Sequence, residues 1–154
     1  MAAGVPNRIL FRHGQLVHME SFRRLKVWQR AHKLTIHVYR LAATLPVSER
    51  FGLAAQLRRA AASVAANIAE GCGRRNSFGG NGELIRFLHI AMGSAMELEY
   101  HLLLAHDVGL ITDAQHRVVE DELRDLQRML ARFISRLREL DRFQKRRRPR
   151  TATS

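Results

Sequence analysis

Between Glu49 and Arg75 the chain reads ERFGLAAQLRRAAASVAANIAEGCGRR, and this block limits the possible folds more than any other. Leu53, Leu57, Ala61, Val64 and Ile68 recur every three or four positions, the spacing of a helix that buries one stripe. A second set of alanines, Ala54, Ala55, Ala62, Ala65, Ala66 and Ala69, keeps the rest of the cylinder slim. Neighbouring helices can therefore approach it on more than one side, within the molecule or between copies. Arg58 and Arg59 are adjacent and cannot both avoid solvent.

Three further segments carry the same signal. Val27, Ala31, Leu34, Val38, Leu41 and Leu45 alternate spacings of four and three until Pro46, which lacks an N–H and disfavours helical geometry before it. The second segment is predicted to run from about Ser48, a plausible N-cap, to a Gly71-Cys72-Gly73 exit. A third opens near Asn81 and repeats Leu84, Leu88, Ala91, Ala95, Leu98, Leu102 and Ala105 up to Gly109. The fourth starts at Thr112-Asp113-Ala114-Gln115, a capping box, and continues through Val119, Leu123, Leu126, Leu130, Phe133, Leu137 and Leu140. No segment prefers strand. Short connections and sustained three-four spacing predict an all-α fold, an antiparallel up-down four-helix bundle. The glycine-rich stretch Asn76 to Gly82 reads as a flexible turn.

A chain of 154 residues can bury one substantial core, so one bundle over 21–141 is expected. Residues 1–20 match no period and precede the first recognisable segment; with Met19 just ahead of it, they read as an extension that is disordered or upstream of the true start. Residues 142–154 read as a disordered basic tail. The start has no continuous apolar stretch before a cleavage site, and no run nears the ~20 residues that span a bilayer. A cytoplasmic protein without membrane partners is expected.

The formal charge of +12 is unevenly placed. Residues 142–154 hold +6 and no acid, and residues 1–18 hold +2, which leaves +4 for everything between. The tail thus dominates long-range attraction to anions.

Enzyme chemistry finds little support. The eight histidines form no His-Glu-x-x-His pattern, His32/His37 and His101/His106 are each five apart, and Cys72 is a lone cysteine, so neither a metal nor another cofactor is expected. Neither glycine cluster precedes Gly-Lys-Ser/Thr, as a phosphate-binding loop would. Arg74 and Arg75 could lower the Cys72 pKa, yet no histidine is near in sequence to serve as base. Glu97 and Glu99 point about 200° apart on a helix, so one of them is expected to meet Arg58 or Arg59 across the bundle. Asn67, Glu70 and Arg74, spaced by three and four, are expected to form a polar latch along one helical edge.

Taken in order, Phe22, Leu25, Val27 and Trp28, Tyr39 and Pro46, then Glu49, Phe51, Gly52, Leu53, Gln56, Arg58, Arg59, Ala60 and Ser63 compose a recognisable pattern. It continues through Asn67-Ile68-Ala69-Glu70-Gly71, Gly73-Arg74, Phe87-Leu88, Ala91, Gly93-Ser94 and Glu97-Leu98-Glu99. Over 22 to about 111 the chain resembles the four-helix-bundle proteins encoded by intervening sequences inside bacterial 23S ribosomal RNA genes. The loop Asn76 to Gly82 is longer and richer in glycine than the usual connection, Ala66 stands where proline is common, and the tail lies outside the shared pattern. The resemblance implies a homopentameric ring. It also implies kinship with an accessory protein of diversity-generating retroelements, a basic pentamer that engages reverse transcriptase and nucleic acid. It assigns no biochemical activity to the family itself.

The basic side chains carry the functional expectation. Arg58, Arg59, Arg74 and Arg75 flank the small-residue helix, and Lys145, Arg146, Arg147, Arg148 and Arg150 crowd the tail. Guanidinium forks suit phosphate, and repetition around a ring would multiply the field. Trp28, Tyr39 and Phe78 are the candidate aromatics for base stacking, the first two being better suited to packing. The expectation is a non-enzymatic homo-oligomer binding RNA or DNA through its backbone, with little sequence readout. The competing expectation is a protein-interaction scaffold whose charges serve solubility.

Overall fold

The computed structural model describes residues 10–12, 15–17, 22–78 and 81–147, with side chains over 22–75 and 81–143. Four helices carry the fold: α1 (Lys26–Ala42), α2 (Leu53–Phe78), α3 (Asn81–Asp107) and α4 (Asp113–Arg147). Ahead of them lie two three-residue strands, β1 (Leu10–Arg12) and β2 (Gln15–Val17), paired antiparallel with Leu10 opposite Val17. Periodicity gave no sign of this pair, because three residues are too few to register an alternation. The rest of 1–20, expected to be disordered or upstream of the start, lies outside the described residues.

Pairs between helices run in opposite order along their partners. Arg59 meets Glu97 and Ser63 meets Ser94 between α2 and α3. Gln127 meets Glu99, Arg138 meets His89, and Asn81 meets Asp141 between α3 and α4. Arg30 meets Asp125 and His37 meets Glu122, which brings α4 back against α1. Each helix thus packs antiparallel to its neighbours around one core. Every predicted stripe residue of α1 and α3 is buried; in α2 Leu53 is only half-buried, and in α4 Phe133 is half-buried and Leu140 exposed.

The helix ends depart from the sequence reading where the cause is not local. A short 3-10 turn, Val47–Glu49, precedes α2, and the Glu49 carboxylate accepts the Leu53 N–H at 3.1 Å. Glu49, rather than Ser48, caps the helix. At its far end α2 passes through Gly71-Cys72-Gly73 and ends at Phe78, so the expected exit is helical interior and Asn76 to Phe78 are not a flexible turn. Gly71 is there for closeness: an added Cβ would stand 2.8 Å from Phe87 Cβ and 3.1 Å from Leu84 Cδ1. Among the described residues the left-handed glycine is Gly109, φ 74°, which ends α3 as expected. The Thr112 capping box is also in place, with Gln115 N–H donating to Thr112 Oγ1 at 3.2 Å and Thr112 N–H donating to Gln115 Oε1 at 2.9 Å.

At 35 residues α4 is about 50 Å long at ~1.5 Å per residue. It runs six residues past 141, the boundary expected from sequence, because nothing between Arg142 and Arg147 breaks a helix. Lys145, Arg146 and Arg147 therefore continue its backbone, their side chains not described. Arg148 and Arg150 lie outside the described residues.

Candidate nucleic-acid interface

The four arginines singled out on α2 do not form one patch. Arg58 and Arg74 are sixteen residues apart, about 24 Å along the helix. Arg58 Nη2 donates to the Arg50 carbonyl at 3.0 Å, which ties the chain entering α2. Arg59 donates to Gln56 Oε1 at 2.8 Å and pairs with Glu97 on α3, the partner expected across the bundle. Both groups thus have structural work within the chain. Arg74 pairs with Glu70 at 2.7 Å and lies over the Phe87 ring, 5.3 Å from its centroid. Arg86 covers the same ring at 4.6 Å and donates to Glu83 at 3.2 Å. Together with exposed Arg75 they gather three guanidiniums where α2 and α3 meet.

Only two members of the expected latch bond to each other. Glu70 holds Arg74, whereas the Asn67 amide turns away and donates to the Ser63 carbonyl at 2.8 Å and to Ser63 Oγ at 3.1 Å. Ser63 Oγ in turn lies 2.8 Å from Ser94 Oγ on α3. This chain of hydroxyl and amide groups fastens α2 to α3 inside the bundle. The Ser63–Ser94 contact has no local signal in the sequence, since its two residues are 31 apart.

A larger arrangement emerges when charges are placed on the bundle. In α4 five acids and two arginines precede residue 126, while from 126 to 147 eight basic residues face two acids. α1 contains no acid and begins Lys26, Arg30, Lys33. Antiparallel packing puts the start of α1, the end of α2, the start of α3 and the end of α4 together, so one end of the bundle is strongly basic. The opposite end collects Glu97, Glu99, Asp107, Asp113, Glu120, Asp121 and Glu122, near Arg58 and Arg59.

Leading from the basic end, a groove of ≈ 620 Å³ lies between α1 and α4. Lys26, Arg30 and Lys33 line it from α1, Arg128 and Arg132 from α4, with Gln29, Met129 and Asp125 between them. Asp125 is its single acid and binds Arg30 at 3.3 Å and Arg128 at 2.7 Å. Sequence reasoning missed this groove because its two walls are about a hundred residues apart; the one available signal was an acid-free α1.

Other titratable groups are held in local contacts. His37 Nδ1 lies 3.0 Å from Glu122, and His106 Nε2 lies 2.8 Å from Asp113. The Asp113 hydrogen bond, with that of Asp107, raises the His106 pKa, and His106 in turn lowers that of Asp113. Cys72 is buried. Of the aromatics considered for stacking, Trp28 is half-buried and stacked on His32 at 4.9 Å, Tyr39 is exposed, and the Phe78 side chain is not described. Among the described residues no group of three His, Cys, Asp or Glu side chains is placed to hold a metal, and no helix is long and apolar enough to cross a membrane.

Among curated proteins none matches the chain. A crystal structure of a protein of unknown function from the S23 ribosomal protein family of Bacteroides thetaiotaomicron is similar, with a TM-score of 0.62 and 25% identity. The similarity covers 70% of this chain and 97% of that one. Residues 23–132 match the model of the 23S rRNA-intervening sequence protein, from the entry to α1 through most of α4. With its four-helix architecture, the chain belongs to the 23S rRNA-intervening sequence protein family.

Proposed function

We propose that this protein is a non-enzymatic, cytoplasmic, homo-oligomeric bundle that binds RNA or DNA through the phosphate backbone with little regard to sequence. The observation that carries this reading is the uneven placing of charge: basic residues far outnumber acids at one end, and acids outnumber basic residues at the other. An evenly wet surface would balance its signs throughout, whereas an end with a large excess of cations attracts a polyanion and orients it. Arg74, Arg75 and Arg86 belong to that end, and Lys145 to Arg147 extend it along α4. Arg58 and Arg59, at the acidic end and bonded within the chain, have no part in it.

Self-association draws support from an exposed stripe on α3. Ile90, Met96, Tyr100 and Leu103 are 42%, 55%, 60% and 47% exposed and recur with Gly93 every three or four residues, an apolar face on the outside of a soluble bundle. Ring closure of five copies follows the family resemblance and would bring five basic ends together. A nucleic-acid enzyme such as a reverse transcriptase is the kind of partner such a ring would serve. The test is anisotropy of labelled RNA at several salt concentrations, with light scattering on the same sample. Binding that weakens steeply with salt, at a mass of about 88 kDa for five 17.6 kDa copies, is expected. Absence of binding at low salt leaves the stripe, and with it a protein-interaction scaffold, as the function.

A further inference from the structure

Resting on that reading, we propose that the α1–α4 groove is the track of the sugar-phosphate backbone of a single nucleic-acid strand, held by Lys26, Arg30, Lys33, Arg128 and Arg132. The ligand class follows from what lines the groove: five cations, one acid and no aromatic ring. Lys26, Lys33 and Arg132 make no ion pair among the described residues, so three cations are available to an incoming anion without breaking a contact.

Spacing fits a chain of phosphates rather than one isolated anion. Lys26, Arg30 and Lys33 follow one edge of α1 at intervals of four and three residues, together about 10 Å of rise, and Arg128 and Arg132 are one turn apart, about 6 Å, on α4. Cations thus border both sides of a floor that includes the Met129 thioether. Packed helices sit ~8–10 Å apart, so the furrow between them admits one strand and is too narrow for a duplex to enter. With no ring to stack on, bases face solvent, and the contacts are blind to their identity. Lys26, the first residue of α1, marks the end of the groove nearer the basic end of the bundle, so a strand leaving past it continues toward the arginines of α4.

The experiment is titration of full-length protein into three fluorescent probes of equal length: a mixed-sequence single strand, an abasic strand and a blunt duplex. It is repeated with Lys33→Gln/Arg132→Gln, both at exposed positions, and with Arg58→Gln at the acidic end as control. The abasic strand is expected to bind within about threefold of the base-bearing one, since phosphates alone are contacted. The groove variant should lose roughly tenfold in affinity at low salt and reduce the slope of log affinity against log salt by about 1.4, two single-strand phosphate contacts. Arg58→Gln should bind as the parent does. Circular dichroism with parental helicity and melting shows that the groove variant is folded; if it is not, Lys33→Gln alone, with half the loss in slope, decides.

Parental binding in the groove variant overturns the groove and leaves the basic-end reading standing. The same holds if the abasic strand binds more than tenfold more weakly, or if the duplex is preferred. If the unmodified protein binds none of the probes, the nucleic-acid reading itself falls, and the groove with it. Binding of the protein to anionic vesicles but to no oligonucleotide is a form of that second outcome.

Discussion

Gly71 of α2 faces Phe87 of α3 so closely that an added methyl group would stand 2.8 Å from the phenylalanine Cβ. Alanine is the better helix former by about 1 kcal/mol, so in an open helix the substitution would stabilise. Here the obstructing atom is next to the α3 backbone and cannot rotate away, and overpacking of this kind costs ~1–3 kcal/mol. Gly71→Ala is therefore expected to lower the melting temperature by a few degrees. Gly73→Ala, inside α2 where an added Cβ meets nothing within 4 Å, should raise it, and calorimetry of the two side by side checks the contrast.

Asn81 begins α3 almost fully buried, and its amide donates to the Asp141 carboxylate at 2.7 Å. This bond ties the last turns of α4 to the junction between α2 and α3. A hydrogen bond to a charged group contributes about 1.5–3 kcal/mol, and its loss leaves a carboxylate partly buried. Asn81→Ala should destabilise the protein by about 1.5–3 kcal/mol and raise amide exchange from about residue 137 onward, more than in the first half of α4. Exchange rates that rise equally along α4 would show that the contact does not hold this end.

What could be read from the sequence was whatever depends on near neighbours. Thr112 and Gln115 are three residues apart, so the capping box is complete within one turn. The stripes of α1 and α3 are equally local, and burial follows from them. Gly71 was misread because close packing and a helix exit demand the same residue, and only the position of Phe87 distinguishes them. The candidate site was less legible still. Arg58 and Arg74 look equivalent in the chain, yet one is tied to a carbonyl at the acidic end and the other belongs to the basic end. The groove needs α1 and α4 side by side, a fact of topology rather than of spacing.

His106 is held by Asp113 and Asp107, with the His116 ring 4.8 Å from its own. The Asp113 hydrogen bond, first, and that of Asp107 raise the His106 pKa, so the protonated ring favours the folded state. That contribution is complete below the unfolded histidine value and is lost as pH rises through the higher folded one. Asp113 is shifted down, so its share is present above the unfolded carboxylate value and is lost as pH falls through the lower folded one. The pair is thus most stabilising between these titrations, in mildly acidic solution. NMR titration should place His106 above a free imidazole, and His106→Gln should flatten the decline of melting temperature as pH rises past the ordinary histidine value.

Tyr100 lies in the middle of the exposed α3 stripe, 60% exposed. Its removal costs a monomer little, whereas a charge placed there would be desolvated at any interface the stripe forms. Tyr100→Glu is expected to leave helicity unchanged and reduce the mass seen by light scattering to that of a single 17.6 kDa chain. An unchanged assembly would place the subunit contacts on another face.

Asp125 lies within the α1–α4 groove and occupies Arg30 at 3.3 Å and Arg128 at 2.7 Å. On the proposed track its carboxylate would compete with phosphate for these two guanidiniums and repel the strand. An ion pair this exposed contributes no more than about 1 kcal/mol to folding, so Asp125→Asn should melt within a degree or two of the parent. Its affinity for a single strand should rise several-fold at low salt, with a steeper salt dependence, because Arg30 and Arg128 become free to displace counterions from the strand. A purely structural role predicts the reverse: lower stability and unchanged binding. Anisotropy at three salt concentrations, together with a thermal melt on the same preparation, separates the two outcomes.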